Sequence, residues 1–266
     1  MFETPWIAAL AALFLWWFAT GILLWRVHAA DRGGPDSHVW SVILSLPLFA
    51  VGVLGVNATL TDPSAQGAWF AFLSALAIWG WVELAFLSGI ITGPNTRVCP
   101  PGLDARARFL AAFRTVAWHE TVLVVVLVSL AYAAWGAANP FALWTFALLF
   151  FARVSAKLNL YLGVPFINTA FLPSPLVHLA SYFRPGPVSG FFPASVTLLA
   201  LGFGCFLERL WRAHQAGDQG DIIGFTLLSM LAALALLEHW FMVWRVQDDK
   251  LWRWMIPAPA NDKTKT

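Results

Sequence analysis

The stretch FFARVSAKLNLYLGVPFIN, residues 150–168, decides how the rest of the chain is interpreted. It is apolar and long enough to enter a bilayer, yet it carries Arg153, Lys157 and Asn159. The two cations are four residues apart and therefore share one face of a helix. A charge at membrane depth costs free energy unless an opposite charge or a hydrogen-bonding group pairs with it. The rest of the chain must therefore supply partners for these side chains.

The composition is that of an integral membrane protein. Of the 266 residues, 59% are hydrophobic and 11% are charged, and the mean hydropathy is +0.70. Sixteen Trp and twenty-two Phe exceed what interfacial belts need, so many rings must face lipid, other helices or a flat hydrophobic ligand. The cations are spread over several loops, which argues against a nucleic-acid partner. Cys99 and Cys205 have neither metal-site nor disulfide-framework spacing.

Seven apolar segments are long enough to span a hydrocarbon core at about 1.5 Å per residue. The predicted spans are Pro5–Trp25, Val39–Leu60, Ala68–Thr92, Phe109–Trp135, Phe141–Gly163, Phe191–Leu210 and Ile222–Trp244. Pro47 predicts a kink in the second span. Residues 164–190, broken by prolines, are expected to form an extramembrane loop with a short surface helix around LVHLASYF. The fold class is therefore an all-α, polytopic membrane bundle, with one helical domain over residues 1–253 and a disordered cytoplasmic tail over residues 254–266.

The distribution of Lys and Arg predicts the orientation of the bundle. With seven spans, fourteen of the sixteen cations fall on the side of the C-terminus, and only Arg209 and Arg212 fall on the other side. The positive-inside rule then places the C-terminus in the cytoplasm and the N-terminus in the periplasm. The lipid bilayer is the expected surrounding of the seven spans.

Four spans each carry a polar side chain at a similar depth, roughly 10 to 15 Å from the cytoplasmic boundary. These residues are Glu83, His119, Arg153 and Glu238. Four further polar residues lie close to them in sequence, namely Glu120, Lys157, Asn159 and His239. We expect these eight residues to form one buried polar cluster, because charges inside a membrane face the bundle interior and find one another.

The residue types leave three uses of this cluster open. The first is a structural ion-pair network. The second is a metal site, since three carboxylates and two histidines suffice for iron, manganese or zinc. Its ligands would be Glu83, His119, Glu120, Glu238 and His239. Against it, adjacent residues on a helix point roughly 100° apart, and nearby cations repel a metal.

The third use is ligand binding. His119 or His239 could be an axial ligand of a chlorophyll-type magnesium, or the cations could form a pocket for an acidic tetrapyrrole or a lipid headgroup. The residues alone do not decide among these three uses.

Five segments together resemble the PuhE-type photosynthetic complex assembly proteins of purple phototrophic bacteria. They are WVELAFLSGIITGP (residues 81–94), WHE (118–120), FFARVSAKLNLYLGVPFIN (150–168), HLASYF (178–183) and EHWFM (238–242). The resemblance covers spans three to seven, and the central segment is its most specific part. It implies an inner-membrane protein encoded with photosynthesis genes, in the photosynthetic or intracytoplasmic membrane, and it implies no catalytic residues.

Two functions from different classes follow. One is an assembly factor for reaction-centre and light-harvesting complexes that handles bacteriochlorophyll or a precursor, with photosynthetic polypeptides and pigment-synthesis proteins as partners. The alternative is an intramembrane metal-dependent enzyme acting on a tetrapyrrole or another lipophilic substrate. A transporter is a third interpretation, weakened because the sequence shows no internal repeat.

Overall fold

The computed structural model describes residues 2–169 and 171–245, which form eight α-helices and one 3₁₀ helix. The helices are α1 (Pro5–Asp31), α2 (Ser37–Leu44), α3 (Leu46–Thr59), α4 (Ala65–Leu87), α5 (Ala105–Ala133), α6 (Phe141–Leu162), the 3₁₀ helix (Ser174–Tyr182), α7 (Phe191–Ala216) and α8 (Gln219–Phe241). The predicted all-α class is confirmed. The tail over residues 254–266 lies outside the described residues.

Among residues 2–169 and 171–245, seven helical segments are long and apolar enough to cross a membrane, as the sequence predicts. The helices α2 and α3 count as one span that is interrupted at Ser45. Pro47 lies in the first turn of α3, where its missing N–H removes no helical hydrogen bond. In place of the predicted kink, the span has a break at Ser45, between α2 and α3.

Several helices begin or end at other residues than the spans predicted from hydropathy. The helix α1 runs on to Asp31, α5 begins at Ala105 and α7 runs on to Ala216, because helices continue past the first charged residue of the membrane boundary. The predicted third span is too long by five residues, since α4 ends at Leu87. There the backbone turns at Gly89 (φ +76°) and leaves the helix axis.

The segment after α4, residues 88–95, packs against the middle of α5. The Thr92 carbonyl accepts a hydrogen bond from the His119 amide at 3.0 Å, and the Arg114 carbonyl accepts one from the Asn95 amide at 3.1 Å. Gly93 lies so close to α5 that a Cβ there would be 2.1 Å from the Arg114 carbonyl oxygen. This contact holds α5 at the level of His119.

The helices α4 and α8 form the centre of the bundle, and more than half of each span is buried. Fully buried side chains from four helices meet around them, including Phe72 of α4, Leu123 of α5, Phe146 of α6 and Leu227 of α8. Lipid tails are as apolar as the side chains, so helices in a bilayer associate through close packing of small residues. Accordingly, a Cβ at Gly52 of α3 would lie 2.9 Å from the Ser74 carbonyl oxygen of α4.

The loop between α6 and α7 folds back against the bundle. The sequence predicts a short surface helix here, and a 3₁₀ helix lies at this place with one face packed against the bundle. Leu176, Leu179 and Tyr182 are buried, and a second small core forms around Phe86. The spacing of these apolar residues, every three positions, matches the three residues per turn of a 3₁₀ helix.

The orientation of the bundle stays a prediction that reporter fusions can test. We expect green fluorescent protein fused after residue 266 to fluoresce, because the positive-inside rule places the C-terminus in the cytoplasm. Alkaline phosphatase inserted at Gly217, between α7 and α8, should be active, because that turn is expected in the periplasm. An active phosphatase at the C-terminus would reverse the assignment.

The close approach of Gly93 to α5 predicts a loss of stability in Gly93→Ala. The three nearest atoms all belong to the backbone and cannot rotate away, so we expect a loss of about 1–3 kcal/mol, the usual cost of overpacking. Gly80→Ala is the control, because a Cβ at this α4 position meets nothing within 4 Å. Thermal unfolding in detergent measures both. A Gly93→Ala protein as stable as the wild type would show that this contact is loose.

Candidate functional site

Two ion pairs connect α6 to its neighbours at membrane depth. Arg153 donates a hydrogen bond from Nη2 to Glu83 Oε2 of α4 at 2.9 Å. One turn further along α6, Lys157 donates from Nζ to Glu120 Oε1 of α5 at 2.5 Å. The two cations that share one helix face are thus each matched by a carboxylate from a different helix. Three spans are joined by these two contacts.

Phe86 lies at the middle of this network, one turn after Glu83 on α4. The Lys157 Nζ is 4.9 Å from the centroid of its ring and the Arg153 Cζ is 5.9 Å from it. The imidazole of His119 packs against the same ring, with centroids 4.3 Å apart. An aromatic face attracts cations electrostatically, and more so where water is excluded. Phe86 therefore stabilises both cations and fills the space between them.

His119 is fully buried and has a defined role in the network. Its Nδ1 lies 3.0 Å from Lys157 Nζ, and since an ammonium group can only donate, Nδ1 is the acceptor and the ring proton is on Nε2. Nε2 faces Glu83 Oε1 at 3.5 Å. The imidazole thus bridges the two ion pairs.

Glu238 lies apart from these pairs. Its Oε1 accepts a hydrogen bond from Trp16 Nε1 of α1 at 2.8 Å, and it forms no ion pair within the described ranges. The expectation that all eight polar residues meet in one cluster is therefore met by five of them only. Those five, which we call the ion-pair network, are Glu83, His119, Glu120, Arg153 and Lys157.

His239 and Asn159 face a different interface, between α6, α7 and α8. His239 Nδ1 donates to the Ala235 carbonyl at 2.8 Å, so its Nε2 is free of hydrogen and accepts from the Ser155 hydroxyl at 2.9 Å. Asn159 donates to the Ser195 hydroxyl at 2.9 Å. These contacts hold helices together and leave both residues outside the ion-pair network.

The arrangement does not provide the metal site that the sequence allowed. In residues 2–169 and 171–245 no three His, Cys, Asp or Glu side chains are placed to hold one ion. The reason is geometric, since Glu238 and His239 are adjacent on α8 and point to different interfaces. In addition, Glu83 and Glu120 are already bound to cations.

A cavity of about 1470 Å³ opens beside the ion-pair network. It lies among α1, α4, α5, α6 and α8, and the loop after α6 covers one end. Its middle level is charged and comprises Glu83, Glu120, Arg153, Lys157 and Glu238. We call this level the charged belt. Neither His119 nor His239 lines the cavity.

The cavity walls on the two sides of the charged belt differ in the residue types that line them. Towards the middle of the bundle the walls are apolar, with Trp79, Leu149 and Leu231. Towards the covering loop the walls are aromatic and mixed, with Tyr161, Phe166 and Tyr182. The cavity is therefore suited to an amphipathic molecule that lies along the helices.

The covering loop is anchored at several points. Phe166 donates its amide to the Met242 carbonyl at 3.0 Å, and Ser174 donates its amide to Asp31 at 3.0 Å. Arg108 donates to the Tyr182 carbonyl at 2.7 Å. Partial burial lowers the pKa of His178 in this loop and so favours its neutral ring. The loop is thus fastened to α1, α5 and the end of α8.

Sequence reasoning missed two residues of the site. Phe86 lies three residues after Glu83 and hence on the same helix face, which is a signal that could have identified it. Trp16 had no such signal, because it is one of sixteen Trp and lies in a uniformly apolar helix. Its contact with Glu238 spans 222 residues of sequence.

Residues 2–263 match the family described as "Protein of unknown function (DUF3623)". The chain belongs to this family. It is also 52% identical over 264 residues to the "Uncharacterized 30.4 kDa protein in puhA 5'region" of Rhodobacter capsulatus, covering 99% of this chain and 95% of that protein. No solved structure matches the chain.

The Arg153–Glu83 contact predicts a large effect of Arg153→Leu. This change leaves the Glu83 charge buried without its cation, which costs about 3–5 kcal/mol. We therefore expect the protein to accumulate to a much lower level in membranes, measured by immunoblot. Adding Glu83→Gln to Arg153→Leu should restore part of the accumulation, because the stranded charge is removed.

Arg212→Leu is the matched control, since Arg212 pairs with Glu208 on the exposed surface of α7. Exposed ion pairs contribute about 0–1 kcal/mol, so this protein should accumulate normally. Normal accumulation of Arg153→Leu would show that the buried pair does not stabilise the fold.

Proposed function

We propose that this protein binds bacteriochlorophyll or a precursor in its cavity and thereby supports the assembly of photosynthetic reaction-centre or light-harvesting complexes. The observation that carries the proposal is a large cavity at membrane depth, with apolar walls and a charged belt. The proposed location is the cell inner membrane of a phototrophic bacterium. Reaction-centre and light-harvesting polypeptides and pigment-synthesis proteins are the proposed partners.

The size of the cavity favours a large ligand. Sites for ordinary small molecules measure about 300–1,000 Å³, and this cavity measures about 1470 Å³. Binding sites are mostly apolar with a few placed polar groups, which is the pattern of these walls. Because the cavity lies among membrane spans, its ligand must dissolve in the bilayer. A tailed tetrapyrrole pigment meets these requirements.

The relative from Rhodobacter capsulatus supports the same proposal. It is named for its position in the puhA 5′ region. This agrees with the resemblance of the central segments to proteins encoded with photosynthesis genes. The match extends over nearly the whole of both chains, so it includes every helix that lines the cavity.

The direct test is purification from a pigment-producing host in mild detergent, followed by absorption spectroscopy and metal analysis of one sample. We expect a bound chlorin with absorption bands shifted from those of free pigment, together with magnesium in the same molar amount. Purified protein without pigment, which also fails to take up added pigment, would contradict the proposal. A transition metal without pigment would favour the metal-dependent enzyme.

A substitution that fills the cavity should displace the pigment. Ala156 is a small residue on the cavity wall of α6, and Ala156→Phe adds a ring to the space beside the charged belt. We expect pigment content to fall about tenfold, because a core site does not accept extra volume without strain. Pigment absorbance per mole of purified protein measures this.

The control is Ala131→Phe on α5, where the side chain is exposed and does not line the cavity. This protein should keep its pigment. Equal pigment content in the two variants would place the pigment elsewhere on the molecule.

A further inference from the structure

Several polar groups of the charged belt are paired with one another. Lys157 donates to Glu120 and to His119, and its ammonium group also lies over the ring of Phe86. Glu83 accepts from Arg153 and faces His119 with its other oxygen. Lys157, Glu120 and Glu83 are thus each engaged by a partner within the protein.

Arg153 is the first exception. Its guanidinium group has five N–H donors, and within the described part of the chain Glu83 alone accepts a hydrogen bond from it. The side chain is 35% exposed, against 8% for Glu83, and it lines the cavity. Spare donors of a cation at membrane depth are costly unless water or a ligand accepts from them. Arg153 therefore favours a ligand with an acceptor oxygen.

Glu238 is the second exception. Trp16 donates to its Oε1, and no described residue donates to its Oε2. The carboxylate lines the same cavity, and no cation of residues 2–169 and 171–245 forms an ion pair with it. The Trp16 contact fixes the position of the carboxylate and leaves one oxygen for an electropositive partner. Glu238 therefore favours a ligand with a donor or a metal centre.

We propose that Glu238 is the axial ligand of the magnesium of a chlorin bound in the cavity, and that Arg153 donates to a carbonyl or carboxylate oxygen on its rim. Magnesium prefers oxygen ligands, and a chlorin leaves an axial position open beside its four nitrogens. The Glu238 oxygen donates a lone pair there and displaces a solvent molecule. This inference rests on the proposed function and adds to it the residues that select the pigment.

The histidines of the network do not compete for this role. His119 accepts from Lys157 at Nδ1 and is fully buried, and His239 uses both ring nitrogens within the helix interface. A carboxylate ligand adds a negative charge to the complex, and Arg153, which lines the same cavity from α6, lowers the cost of that charge although it also pairs with Glu83. One wall of the cavity thus supplies both the ligand and its counter-ion.

The test compares bacteriochlorophyll a with its magnesium-free form, bacteriopheophytin a. The two pigments share ring substituents and tail, so they partition into detergent alike and differ in the metal. The purified full-length protein is titrated with each, with quenching of Trp fluorescence and shifts of the pigment bands as the readouts. We expect the wild type to bind the magnesium pigment at least about tenfold more tightly, a typical minimum effect on metal affinity.

Two variants test which residues cause the preference for the magnesium pigment. Glu238→Leu removes both oxygens that could ligate magnesium, so it should bind both pigments equally and hold the magnesium-free form as tightly as the wild type. That unchanged affinity also shows that the variant is folded. Arg153→Lys keeps the charge for Glu83 but loses the guanidinium donors, so it should weaken both pigments about tenfold, the effect of a hydrogen bond to a charged group.

The outcomes separate this inference from the proposed function. If the wild type binds both pigments equally, or Glu238→Leu keeps the preference for magnesium, Glu238 is not the ligand, while the cavity remains a pigment site. If Arg153→Lys binds as the wild type does, Arg153 does not contact the pigment. If neither pigment binds, the proposed function and this inference both fail. The wild-type comparison alone decides the role of magnesium if a variant does not fold.

Discussion

The structure depends on two buried ion pairs, Arg153–Glu83 and Lys157–Glu120, at membrane depth. Neither cation could remain there alone, because the hydrocarbon offers no water to solvate it. Each pair joins α6 to a different helix, and Phe86 and His119 fill the space between them. The desolvation cost of the four charges is offset only while all three helices keep their places. The ion-pair network therefore fixes the relative positions of α4, α5 and α6.

This constraint also explains why a cavity can exist beside the network. The helix α5 buries few side chains along its length and is held at the level of His119, by Lys157 and by the segment that includes Gly93. Because these contacts are polar and local, they set the position of α5 without requiring close packing along its whole length. The space left beside α6 is the cavity, and the anchored loop closes its end.

The sequence predicts how deep each polar residue lies in the membrane. It does not predict the direction in which each side chain points from its helix, because that depends on the rotation of the helix about its axis. The seven spans and the need of Arg153 and Lys157 for carboxylate partners follow from apolar length and from the cost of buried charge. Depth alone also suggested that Glu238 and His239 belong to the same cluster. The apolar side chains of α8 surround the whole helix, so no apolar face shows which way each residue points. Helix ends such as Leu87 were missed because hydropathy continues where the backbone turns at Gly89.

The adjacent pairs His119-Glu120 and Glu238-His239 show how the position of a residue around its helix axis decides which neighbours its side chain contacts. Residues next to each other on a helix point roughly 100° apart. In the first pair both side chains reach Lys157, because its ammonium group lies between them and has three donors. In the second pair no such bridge exists, so His239 turns into the helix interface and Glu238 turns into the cavity. Glu238 is held by the Trp16 N–H and has no ion-pair partner in residues 2–169 and 171–245, whereas Glu83 and Glu120 each form an ion pair that joins two helices.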